Sequence, residues 1–80
     1  MKPELSSKQW EALVGAAQGH RLTTIARDMG TTVSAVKSLL AQARAKLGAE
    51  TTAQAVYLAV TWRIIPLARI VERCRDYVKR

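Results

Sequence analysis

The chain has no phenylalanine, one cysteine, one histidine and two prolines, and only 6 of its 80 residues are acidic. The single Cys74 excludes an intramolecular disulfide and the stapled scaffold of a small oxidised domain, so a structural thiol is expected there. His20 has no cysteine or carboxylate beside it at ligand spacing, and no metal site is expected. No Ser-His-Asp set, paired carboxylates or phosphate-cradling glycine loop occurs, which points away from an enzyme and from a cofactor. β-Branched residues do not alternate with polar ones, so strands are disfavoured. The longest unbroken apolar run, Ala55–Val60, is too short to span a bilayer. With no apolar stretch near Met1–Glu4 to act as a secretory leader, a cytoplasmic location is expected.

Positive charge is abundant. Thirteen Lys or Arg give a net charge of +7. A compact basic domain calls for a polyanion, nucleic acid before an anionic membrane. The excess is spread along the chain: residues 1–50 hold seven basic and four acidic residues, and residues 51–80 hold six and two. Eighty residues allow one modest core, burying about 60–65% of the unfolded surface. Such a domain is marginal alone, and dimerisation would help it.

Helix signals run through the chain. Ser6 with Gln9 forms a capping-box pattern after Leu5, opening a helix over about 7–18 with Trp10, Leu13, Val14 and Ala17 on one face. Gly19 is its terminator. A second helix covers about 23–29, with Leu22, Ile25, Ala26 and Met29 inward, and stops at Gly30. Thr32 caps a third helix that runs to Leu47 and is closed by Gly48. Val36, Leu39 or Leu40, Ala43 and Leu47 form its apolar stripe; Lys37, Ser38, Ala41, Gln42, Arg44 and Ala45 form its outer face. Thr51, with Gln54 at the capping-box position, opens a fourth helix that is apolar around almost its whole circumference, so one of its faces needs a partner. Pro66 breaks this helix and suits the first turn of a fifth, whose stripe is Leu67, Ile70, Val71, Cys74, Tyr77 and Val78.

A short helix, a turn at Gly30 and a longer basic helix form a helix-turn-helix pattern. At these residues the chain resembles the DNA-binding domain of LuxR/FixJ/GerE-type regulators, over about Leu5 to Ile65. The segments that carry the resemblance are Leu5-Ser6, Thr24-Ile25-Ala26-Arg27-Asp28-Met29-Gly30, Ala35-Val36-Lys37 with Leu40, Lys46-Leu47-Gly48, and Thr51-Thr52-Ala53-Gln54-Ala55-Val56. The third helix also resembles region 4 of sigma factors; the helix after Gly48 favours the LuxR type.

The resemblance implies an all-α tetrahelical helix-turn-helix domain over 1–65, with residues 66–80 as an added amphipathic helix for dimerisation or partner contact. It implies a cytoplasmic transcription regulator that binds double-stranded DNA, reads the major groove with the third helix and acts as a homodimer. Lys37, Ser38 and Ala41 would meet base edges; Thr23, Thr24, Thr32, Ser34 and Arg44 would hold phosphates and set orientation. Tyr57, Leu58, Thr61 and Trp62 would form the dimer contact. A competing expectation is a protein-interaction module, an antiactivator or co-regulator of another transcription factor or of RNA polymerase. It draws on Val33, Ala35 and Leu39, which stand where the family commonly carries an acid, a phosphate-contacting Thr and a His.

Overall fold

The computed structural model describes residues 4–66 together with Ala68 and Ile70. Over these residues run four helices and no strand: α1 Ser7–Ala17, α2 Leu22–Met29, α3 Val33–Leu47 and α4 Thr52–Thr61. The all-α class expected from the sequence is the class observed. The expected fifth helix lies outside the described residues except for Ala68 and Ile70, which are helical. Ile70 packs against the core of the preceding domain.

Local side-chain chemistry sets the helix starts. Ser6 Oγ accepts from the Gln9 amide at 3.2 Å, and Gln9 Oε1 accepts from the Ser6 amide at 3.0 Å, a complete capping box. Thr32 Oγ1 accepts from Ala35 N and Thr51 Oγ1 from Gln54 N in the same way. The Gln54 side chain departs from the expected box: its Oε1 accepts from the amide of Glu50, one residue before the cap. Helix α2 has no side-chain cap and begins one residue earlier than expected, at Leu22.

All four helices end in the same Schellman geometry. The amide of the left-handed residue and the amide after it turn back to carbonyls of the last turn, as in Gly30 N to Arg27 O and Thr31 N to Ala26 O. Glycine takes the left-handed position after α1, α2 and α3, but after α4 it is Arg63, at φ 58°. That turn fixes the chain's return. Ile64 O accepts from Trp10 Nε1 at 2.9 Å, and Ile65 enters the core with no exposed surface. Helix α4 therefore stops four residues before the backbone restriction that Pro66 places on Ile65.

The core is built around α1, which packs against α2, α3 and α4. Ala12, Leu13, Val14 and Gly15 are buried, and so is Gln9. The face expected from the sequence was narrower: Trp10 and Ala17 are only half-buried. At Gly15 there is no room for a side chain beside α2. A Cβ there would lie 2.9 Å from Ile25 Cγ1. Against this helix pack Ile25 and Ala26, then Val36, Leu40, Ala43 and Leu47 from α3, and Ala55 and Ala59 from α4. Within this chain α4 packs on the core by one side. Its outer surface is Ala53, Gln54, Tyr57 and Thr61, whereas Val56, Leu58 and Trp62 are half-buried against the same core.

Two substitutions test this packing in opposite directions. Gly15→Ala gains about 1 kcal/mol of helix propensity but overpacks the Ile25 contact at a cost of about 1–3 kcal/mol, so urea denaturation should show a net loss near 1 kcal/mol. A gain would mean that α2 is free to move away. Arg63→Gly removes a left-handed penalty of about 1–2 kcal/mol and adds about 0.5–1 kcal/mol of unfolded-state entropy, so it should stabilise by about 0.5–1 kcal/mol. A loss of stability would show that the arginine side chain anchors the turn.

Candidate nucleic-acid interface

The candidate site is the exposed side of α3 and the turn that leads into it. Helix α2 stops at Met29, left-handed Gly30 redirects the chain, and Thr31 and Thr32 bring it to the first turn of α3. Fifteen residues make α3 about 22 Å long at 1.5 Å per residue. Val36, Leu40, Ala43 and Leu47 fasten one side to the core. The opposite side therefore shows Ser34, Lys37, Ser38, Ala41 and Ala45, all exposed and spaced i, i+3, i+4, i+7, i+11. Apart from Lys37 these side chains are small, so a groove wall could approach the backbone closely.

Electrostatically this element is one-sided. From Met29 to Ala49 there is no acidic residue, while Lys37, Arg44 and Lys46 are basic. The first turn of α3 presents the positive end of its helix dipole with no carboxylate to neutralise it. The nearest acid in sequence on the α2 side, Asp28, pairs with Arg27 at 3.9 Å, and both side chains are largely exposed. Such a pair contributes about 0–1 kcal/mol.

The sequence-derived residues divide into four groups. Lys37, Ser38 and Ala41 share one exposed face with Ser34. Thr23 is exposed and Thr24 half-buried at the start of α2, and Thr32 is exposed while its hydroxyl oxygen caps α3. Arg44 differs from the picture of a free outer-face cation. It is half-buried, and its Nη1 donates to Thr52 Oγ1 at 3.2 Å, tying α3 to the first turn of α4. Of the residues expected at a dimer contact, Tyr57 (67% exposed) and Thr61 are open, while Leu58 and Trp62 lean on their own core.

Sequence reading missed two features. One is Lys8, which lines a groove of about 500 Å³ beside α3 together with Met29, Thr31, Ala35, Ser38 and Leu39. Its proximity to α3 is tertiary and leaves no local signal. The other is the pair Gln9 and Gln42, where Gln9 Nε2 donates to Gln42 Oε1 at 2.9 Å across 33 positions of sequence. Among the described residues no group of His, Cys, Asp or Glu is placed to hold a metal ion, and no helix is long and apolar enough to cross a membrane. No protein-family model, curated protein or solved structure matches the chain.

Proposed function

We propose that the protein is a sequence-specific double-stranded DNA-binding regulator of transcription that places α3 in the major groove. The observation that carries this reading is the exposed, acid-free face of α3, with Lys37 among small side chains, mounted on α2 through the Gly30 turn. B-DNA's major groove, about 12 Å wide, admits an α-helix. In this reading Lys37, Ser38 and Ala41 meet base edges. Thr23, Thr24, Thr32, Ser34 and Lys8 would approach the flanking phosphates, and Arg44, which donates to Thr52, would orient α3 against α4 as well as add charge. A homodimer pairing through Tyr57, Leu58, Thr61 and Trp62 would set the spacing of two half-sites. The resemblance to LuxR/FixJ/GerE-type domains supports the same assignment, and the cytoplasm is where such a regulator would work.

A second reading is favoured by one feature, the apolar part of the groove beside α3. Met29, Ala35 and Leu39 are half-buried there, and a partner's apolar side chain would fit among them. On that reading the domain is an antiactivator or co-regulator that binds another transcription factor or RNA polymerase.

Salt titration separates the two. If about 4–8 phosphates are neutralised per dimer, log K for duplex DNA should fall with log salt at a slope of about −4 to −7. Absence of binding by the protein alone at low salt would favour the interaction module. Once a preferred duplex is known, Lys37→Ala should cost about 1–3 kcal/mol on it and much less on unrelated DNA, measured by fluorescence anisotropy. Equal losses on both duplexes would make Lys37 a phosphate contact.

A further inference from the structure

Gln9 is a glutamine that the fold buries, with 7% of its surface exposed, and both ends of its amide are engaged. Its orientation is not free. The Ser6 amide is a donor, so the atom of Gln9 that faces it must be the acceptor, Oε1. This leaves Nε2, a donor, pointing at α3. A donor can be met only by an acceptor, so Gln42 must turn Oε1 inward, as it does at 2.9 Å. The backbone amide that starts α1 thus dictates the polarity of a side chain on α3. Gln42 Nε2 is left facing outward, with no partner among the described residues. Gln42 is exposed, one position after Ala41 and one helical turn after Ser38. It extends the candidate reading face on the α1 side.

We propose that Gln42 meets duplex DNA as a hydrogen-bond donor through Nε2, with Gln9 as the residue that positions it. The inference rests on the DNA-binding reading of α3. Because Gln9 Nε2 occupies one lone pair of Gln42 Oε1 and holds that atom on the inner side, Nε2 is the part of the Gln42 amide left to meet a ligand. It selects an acceptor: guanine O6 or N7, thymine O4, or a phosphate oxygen. Ordering by a buried partner also lowers the conformational cost of making that bond.

Gln9→Glu tests the relay directly. A carboxylate retains the capping box, since one oxygen still accepts from the Ser6 amide. Its other oxygen is also an acceptor, so Gln42 must invert and turn Oε1 outward. The experiment selects a best-bound duplex from a randomised pool with the wild-type chain. Affinities of wild type, Gln42→Ala, Gln9→Glu and the double variant are then measured on that duplex and on an unrelated one, with thermal melts as a check on folding. Gln42→Ala should weaken binding by about 5–30-fold, the equivalent of one charge-assisted or base-edge hydrogen bond. Loss confined to the selected duplex assigns a base acceptor, and equal loss on both assigns a phosphate oxygen. Gln9→Glu should lose at least as much while melting as a folded protein. Most of that loss should vanish in the Gln42→Ala background, where only the added charge remains. Selection repeated with Gln9→Glu should shift preference toward a donor-bearing base if the contact is to a base. An unchanged affinity for Gln42→Ala overturns the contact, and an equal effect of Gln9→Glu in both backgrounds overturns the positioning role. Failure of the wild type to bind any duplex overturns the DNA-binding reading itself, and this inference with it.

Discussion

The structure depends on α1 being packed on three sides at once. A helix of eleven residues that touches α2, α3 and α4 must lack bulk where its neighbours come closest. The chain meets that requirement with Ala12 and Gly15, and Gly15 admits Ile25 to a distance no side chain would allow. At its N-terminal end the same helix grips α3 through Gln9 and Gln42, and Trp10 holds the chain that returns from α4. These polar ties matter because the apolar core of so short a chain is small, and each buried donor or acceptor left unpaired would cost about 1–3 kcal/mol. Among the described residues no buried side-chain nitrogen or oxygen lacks a partner.

That constraint shapes the candidate site. With α1 and α2 packed on α3 and the Arg44–Thr52 bond tying it to α4, the face of Ser34, Lys37, Ser38, Ala41 and Ala45 is left exposed. The four-helix segment as a whole is weakly charged for the proposed task. Residues 4–66 carry seven Lys or Arg and four acids, whereas residues 67–80 carry five and two. On the DNA-binding reading, a modest phosphate attraction from the four-helix domain favours discrimination through base contacts and fit, and the basic residues after Pro66 add sequence-independent affinity.

Legibility followed locality. The caps at Ser6, Thr32 and Thr51 and the terminators Gly19, Gly30 and Gly48 act within a few residues, and all were readable. So was the buried stripe of α3, because Val36, Leu40, Ala43 and Leu47 repeat with the helix. The end of α4 was not, because the left-handed residue there is Arg63, which carries no turn signal. The burial of Gln9 was hidden as well, since its partner lies 33 positions away and a glutamine near a helix start reads as surface. Arg44 looked like a free cation for the same reason. Its acceptor, Thr52, belongs to the next helix and is brought near only by the Gly48 turn. The all-apolar pattern of α4 is rich in alanine, so within the single chain Tyr57 is its one large apolar side chain in solvent.

The central claim is that the free face of α3 is the surface that meets duplex DNA. Amide and methyl chemical-shift mapping of the full chain, titrated with duplex at low salt, tests it most directly. The account predicts that the largest shifts fall on Ser34, Lys37, Ser38, Ala41 and Ala45 and on the Gly30–Thr32 turn, with α4 little changed at constant oligomeric state. Shifts concentrated around Tyr57 and Thr61, or none on α3 at saturating DNA, would contradict it.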